Sequence, residues 1–257
     1  MQILVTNDDG IHAPGLRALR DALARLGDVQ VVAPFIEQSG VALAITYLHP
    51  LMVHEEFRHD AHFGWAVQGS PADCVKLGVL EFCPRKPDLV VSGINAGANV
   101  GINVLYSGTV AGAIEGAFFG VTSIAVSLAI DNKPDYPAAA GMAAGIIEQI
   151  LARRPPAGSL WNVNLPESTP EGPRGVKTAS LGVKRHVDVM EKRTDPRGRP
   201  YYWSGQTPIE NHQAEPGSDV KELADGYATV TPLHFDLTHR RALAGLADVP
   251  WRLGPTE

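Results

Sequence analysis

Over roughly the first 165 residues, short apolar runs alternate with stretches whose apolar positions recur every three or four residues. Residues 2–6 form a β-branched and aliphatic run, the pattern of a central parallel strand. Pro14 suits a first helical turn, and Leu16, Leu19, Leu23 and Leu26 follow at helical spacing until Gly27, which predicts the helix end. Residues 29–33 predict a second strand. Residues 44–53 and 66–68 predict extended segments, interrupted at His49-Pro50. Ser70-Pro71-Ala72-Asp73 carries a serine cap, a first-turn proline and an acid at the third position, a helix start that leads toward Phe82. Residues 88–92, 121–128 and 160–165 predict three more buried strands, with helices over 111–119 and 138–153.

This alternation predicts an α/β fold: a Rossmann-like, mostly parallel sheet with helices on both faces. Beyond about Pro166 the alternation stops. Asp195-Pro196-Arg197-Gly198 reads as a turn between residues 187–192 and 200–203, hence a β-hairpin. A short helix over 219–224, a strand over 227–231 and an extended arm to Glu257 follow. The expected organisation is one domain, with a catalytic core over 1–166 and hairpin and arm over 167–257 serving assembly. No internal repeat or low-complexity tract is present.

Composition narrows the class. At 257 residues, with 44% hydrophobic and 19% charged positions, the chain matches an ordinary globular protein. A formal net charge of -6 argues against a binder of nucleic-acid polymers that works by general basicity. It leaves room for a small nucleotide, whose phosphates a metal and backbone amides can meet. Cys74 and Cys83 lack zinc-type partners in sequence and read as free thiols of a reducing compartment. No apolar run reaches the roughly 20 residues of a membrane span. The chain opens directly on a strand without a charged leader, so a cytoplasmic location is expected.

The candidate chemistry begins at Thr6-Asn7-Asp8-Asp9-Gly10, on the turn after the first strand. In an open α/β sheet that turn lies at the carboxyl edge, where ligands bind. Adjacent carboxylates repel, so a pair kept there calls for a cation or a proton between its members. Hard oxygens of this kind suit Mg²⁺ or Mn²⁺, although such an acid also caps helices or pins turns. Asn7 is placed to brace the loop. Ser39 after the second strand and Asn95 after the strand over 88–92 are turn formers taken singly. On a shared edge they offer hydroxyl and amide oxygens to the same point. Ser107-Gly108-Thr109, opening a helix, offers amides and a positive helix end, which is either an anion site or ordinary capping. Lys76 is the nearby helical cation, most simply a solvated one. The glycines at 93, 97 and 101 are spaced by four, which is not a dinucleotide fingerprint and sets aside a cofactor-dependent oxidoreductase.

Four ordered blocks carry a resemblance: Val5-Thr6-Asn7-Asp8-Asp9-Gly10-Ile11, Gly69-Ser70-Pro71-Ala72-Asp73-Cys74-Val75, Ser92-Gly93-Ile94-Asn95-Ala96-Gly97 and Tyr106-Ser107-Gly108-Thr109-Val110. Together they resemble the SurE family of stationary-phase survival proteins, metal-dependent 5′/3′-nucleotidases. The likeness resumes at Asp195-Pro196-Arg197-Gly198, Tyr202-Trp203 and residues 231–238. It implies metal ligation by Asp8, Asp9, Ser39 and Asn95, with one divalent ion (Mg²⁺ or Mn²⁺) per subunit. It implies catalytic roles for Asp8 and Asp9 through a metal-activated water, and phosphate contacts at Asn95, Ser107, Gly108 and Thr109. It further implies phosphomonoester hydrolysis of nucleoside monophosphates and a homodimer or homotetramer with exchanged C-terminal segments. One stretch departs from the family pattern. After Pro34 the family usually carries polar or charged residues, whereas this chain has Phe35-Ile36, and Val41-Ala42-Leu43-Ala44 replaces a usual serine or histidine. Altered substrate preference or lower turnover is expected from that loop, with the metal site kept. The competing class is a non-catalytic nucleotide sensor on the same fold.

Overall fold

In a computed structural model the chain is described over residues 1–129, 133–167, 172–182, 189–205, 214–249, 251 and 253–254. Its main sheet has nine strands among these residues, in the order Val53–Arg58 (β3), Ala61–Val67 (β4), Asp28–Pro34 (β2), Gln2–Thr6 (β1), Leu89–Ala96 (β5), Thr122–Leu128 (β6), Leu160–Leu165 (β7), Ala228–Leu233 (β11) and Val176–Thr178 (β8). The buried apolar runs give β1 (Gln2–Thr6), β2 (Asp28–Pro34), β5 (Leu89–Ala96), β6 (Thr122–Leu128) and β7 (Leu160–Leu165). These strands and β4 (Ala61–Val67) run parallel, from β4 through β2, β1, β5 and β6 to β7. Helices α1 (Pro14–Leu23) and α4 (Tyr136–Ala152) pack together over one core cluster with Ile3, Val5, Val91 and Val163. Helices α2 (Pro71–Leu77) and α3 (Gly108–Phe118) pair with each other, α2 beside Leu4 and Val90 and α3 beside Ala125 and Leu160. The Rossmann-like class expected from the sequence is the fold observed.

β1 sits where the winding reverses, with β2 on one side and β5 on the other. The crevice outside the carboxyl ends of β1 and β5 is therefore the switch point, the place where such sheets bind ligands. Glycines set how closely α3 approaches this region. A Cβ on Gly112 would lie 3.0 Å from Ser92 Oγ, and one on Gly116 would lie 2.5 Å from Ser123 Oγ. With Gly108 they form an i, i+4, i+8 row that lets the helix press on the sheet.

Several elements differ from expectation. Gly27 does not end α1, whose C-cap is Ala24. Its lack of a side chain instead clears the Met1 carbonyl, 2.0 Å from where a Cβ would stand. Residues 44–52 are not a strand. The strand is β3 (Val53–Arg58), paired antiparallel with β4 through a turn at His59 and Asp60, φ 47° and 63°. Two successive positive φ values match the twist of a tight hairpin, but His-Asp is not the usual signature of that turn. Helix α2 is followed by a π-turn at Gly78–Phe82. α3 begins at Gly108 because Ser107 caps it, and α4 begins at Tyr136 because Asp135 accepts from the Ala138 amide.

The last third is more integrated than the end of alternation suggested. β11 (Ala228–Leu233) pairs antiparallel with β7, and β8 (Val176–Thr178) runs parallel beside β11, so both extend the main sheet. Helix α5 (Asp219–Ala224) buries Val220 and Leu223. The hairpin forms from β9 (Val189–Thr194) and β10 (Pro200–Gly205), while positions 187–188 of the expected strand lie outside the described residues. Helix α6 (Arg240–Gly245) lies in the C-terminal arm, whose residues 255–257 are likewise outside them.

Candidate active site

The loop after β1 is fixed from within. Asn7 Nδ2 donates to the Gly10 carbonyl at 3.0 Å, the bracing role expected of that asparagine. Gly10 takes φ 96°, a left-handed conformation that glycine adopts without strain. Asp8 is 4% exposed. Its Oδ1 accepts a 2.5 Å hydrogen bond from the Thr109 hydroxyl, across a separation of 101 residues. Gly108 allows this contact, since a Cβ there would stand 2.8 Å from Asp8 Cβ and 2.9 Å from Asp8 Oδ2. The Asp8 carboxylate thus lies against the first turn of α3, beside the positive end of the helix.

Asp9 turns the other way along the edge, and its Oδ2 accepts from the Ala96 amide at 3.2 Å. Burial raises the proton affinity of both acids. For Asp8 it is opposed mainly by the Thr109 hydroxyl, and for Asp9 it is reinforced by the Asp8 charge, which pushes Asp9 up to about 6. Glu37 acts in the same direction on both, and no cation among the described residues offsets them. A charge pair half withdrawn from water and lacking a counterion is unfavourable unless something else arrives.

The other expected residues fall around this pair. Asn95 is not on a loop but inside β5, after a register shift between Ser92 and Asn95 that pairs it with Ser127. Gly93, within that shift, has φ 142°, and a Cβ on it would come 2.2 Å from the Val126 carbonyl. Asn95 Nδ2 donates to the Gly97 carbonyl at 2.8 Å, which leaves the amide oxygen as the open end of the side chain. Ser39 is reached through its loop: the Gln38 amide donates to the Asp8 carbonyl at 2.7 Å. The Ser39 hydroxyl itself donates to Glu37 Oε1 at 2.6 Å. Ser107 Oγ accepts from the Val110 amide at 3.1 Å, which is ordinary capping. The amides of Gly108 and Thr109 precede the first intrahelical bond, and that of Thr109 donates to the Asp8 carboxylate beside the Thr109 hydroxyl. Lys76 pairs with Glu115 at 3.6 Å, on the flank of α2 and α3.

Carboxylate, hydroxyl and amide oxygens are hard donors, the type that suits a divalent cation with water completing its shell. No cluster of three or more His, Cys, Asp or Glu side chains able to hold a metal occurs among the described residues. An ion here would therefore rely on two carboxylates and neutral oxygens. Two contributors escaped the reading of the sequence. Glu37 is one; Asn99 is the other, buried with its Nδ2 3.5 Å from Thr109 Oγ1 and 2.9 Å from Ser127 Oγ. Its place four residues after Asn95 was a visible signal, but its partners lie too far along the chain to be inferred.

Comparison with known proteins gives a consistent set of matches. The model of the family described as Survival protein SurE matches residues 3–188. The chain is 52% identical over 256 residues to the 5'-nucleotidase SurE of Rhodopirellula baltica, covering 99% of this chain and 100% of that protein. It is 44% identical over 247 residues to the 5'-nucleotidase SurE of Pelotomaculum thermopropionicum, covering 96% and 94%. Among solved structures, that of the Sure protein from Aquifex aeolicus superposes with a TM-score of 0.83 at 39% identity, covering 96% of this chain and 98% of the other.

Proposed function

The chain belongs to the SurE family, and on that premise we propose that it is a 5′-nucleotidase, a metal-dependent hydrolase of nucleoside monophosphates. One observation carries the reading: Asp8 and Asp9 sit together at the switch point of the sheet, with no cation among the described residues acting on either. Asp8, Asp9, Ser39 and Asn95 would hold one divalent ion per chain, Mg²⁺ or Mn²⁺. When bound, such an ion supplies Lewis acidity and lowers the pKa of a coordinated water to the neutral range.

The protein's own groups have separate tasks. Asp8 is held in one orientation by the Thr109 hydroxyl, with its Oδ2 directed past Gly108. An oxygen of Asp8 or Asp9 is assigned to accept the proton that the attacking water gives up. The Asn95 amide and the Gly108 and Thr109 amides, together with Ser107, are assigned to the phosphate, where negative charge grows as the ester breaks. Hydrolysis of 3′-monophosphates is assigned to the same site.

A homo-oligomer is also part of the reading. Tyr202, Trp203, Leu237, Trp251 and Leu253 on the hairpin and C-terminal arm are exposed, as segments exchanged between copies would be in one isolated chain. Neither cysteine is in a disulfide, in keeping with a cytoplasmic enzyme, and no helix of the described residues is long and apolar enough to cross a membrane.

The test is phosphate release from AMP, GMP and p-nitrophenyl phosphate with Mn²⁺ and with EDTA. Release that EDTA abolishes is the expected result. Nucleotide binding without release would favour a sensor, a role that the names of the relatives do not support.

A further inference from the structure

The face of β6, β7 and β11 beneath residues 99–105 is polar where a central sheet is ordinarily apolar. Ser127 on β6, Asn162 and Asn164 on β7, and Thr229 and Thr231 on β11 are all 2% exposed or less. Asn162 lies across from Thr231, and Asn164 across from Thr229. Asn162 Oδ1, Thr229 Oγ1 and Thr231 Oγ1 have no hydrogen-bond partner. Buried polar atoms left in that state cost stability, so this layer is not explained by packing.

Its made bonds converge on one residue. Asn162 Nδ2 donates to the Asn99 carbonyl at 2.7 Å, Asn164 Nδ2 donates to the same oxygen at 3.1 Å, and the Asn99 amide donates to Asn164 Oδ1 at 2.8 Å. Asn99 is thereby fixed with its side-chain amide toward Thr109 Oγ1 and Ser127 Oγ. The Thr109 hydroxyl has a single proton. With Asn99 donating to its lone pair, that proton is directed to Asp8 Oδ1, where the 2.5 Å bond is found.

We infer that Asn162 and Asn164 are positioning residues of the active site, acting through Asn99 and Thr109 to hold the Asp8 carboxylate. The inference rests on reading Asp8 as a working carboxylate. It gives the buried asparagines of β7 a function 63 to 65 residues away from their partner in sequence.

The test is a double-mutant cycle of Asn162→Leu and Thr109→Val on the full chain, read by calorimetric Mn²⁺ affinity and by kcat and KM on p-nitrophenyl phosphate. Thr109→Val is expected to weaken Mn²⁺ binding and lower kcat about tenfold, and Asn162→Leu to do the same to a smaller degree with KM little changed. The double variant should resemble Thr109→Val alone, because the two changes break one chain of bonds. Thr231→Val, in the same layer but without a bond to Asn99, should keep the parental affinity and kcat. Multiplying losses in the double variant, or parental values for Asn162→Leu, would overturn the inference while leaving the nucleotidase reading intact. Phosphatase activity missing from the parental protein itself would instead sink that reading. If Asn162→Leu does not fold, Asn162→Ser carries the same cycle.

Discussion

On one side of the Asp8–Asp9 pair every contact is buried: Thr109, Asn99, Ser127, Asn162 and Asn164 are each 9% exposed or less and bonded in sequence. On the other side runs the loop over 35–48, with Ile36 63% and Tyr47 86% exposed. Backbone amides tie that loop down, Phe35 to the Val67 carbonyl, Gln38 to the Asp8 carbonyl, Ala42 to the Tyr106 carbonyl and Thr46 to the Asp73 carboxylate, while the Phe35 ring lies against His54. The first side fixes charge and orientation, and changes there propagate through a network. The second side brings Ser39 near the site through main-chain bonds that most side chains would permit. The apolar side chains at 35–36 and 41–44 therefore sit on a loop whose tie to Asp8 is a main-chain bond, from the Gln38 amide to the Asp8 carbonyl.

Substitutions can break this contrast. The largest effect is expected from Asp8→Asn, which should lower phosphatase kcat by at least about 10²–10³. The fold should survive, because a buried acid whose proton affinity is raised accepts a neutral isostere, and circular dichroism will check this. Near-parental hydrolysis by the pure variant would remove Asp8 from the chemistry.

Gly108→Ala comes next. Its Cβ would stand 2.8 Å from Asp8 Cβ, so the carboxylate or α3 must shift, with a rate loss of roughly 10–100-fold. Denaturant unfolding should also show a loss of about 1–3 kcal/mol. Gly116→Ala supplies the comparison: its Cβ would meet Ser123 and Val90, away from Asp8, so stability should fall while the rate of the folded protein stays near parental.

A pH effect follows from Asp9. Burial and the Asp8 charge raise its proton affinity to about 6, above the ordinary 3.8. The folded metal-free protein therefore keeps a proton that the unfolded chain has released. The stability this contributes is complete below the unfolded value of 3.8 and is lost as pH rises through about 6. Asp9→Asn should gain on the parent between about pH 4 and pH 7, by on the order of 1 kcal/mol after allowing for solvent at this half-buried group. Thermal midpoints of both EDTA-treated proteins across that range measure it, and a parallel pair of curves would contradict the assignment. The smallest effect is expected from Ser39→Ala. The hydroxyl is exposed and bonded to Glu37, so its loss should cost about 1 kcal/mol, roughly fivefold in Mn²⁺ affinity. A loss as large as that of Asp8→Asn would end the distinction between the two sides.

Much of the buried side was legible locally. The apolar runs of β1, β5 and β6, the capping box of Ser70 and Asp73, and the acid pair after the first strand all follow from neighbours in sequence. The elements that were not legible depend on distant partners. β3 is half exposed and carries His54, Glu55 and Glu56, so its pattern hides a strand that exists by pairing with β4. β11 and β8 join the sheet through β7, across an interval in which alternation had ended. Asn162 and Asn164 interrupt an apolar strand, a local inconsistency whose reason appears only when Asn99 is brought beside them.

We propose that Asp8 and Asp9 hold a divalent ion at the switch point of the sheet. Calorimetric titration of the EDTA-stripped protein with Mn²⁺, run beside Asp8→Asn, tests it most directly. One ion per chain is expected in the parent, with that binding lost in the variant. Equal binding by both proteins, or none by the parent, would contradict it.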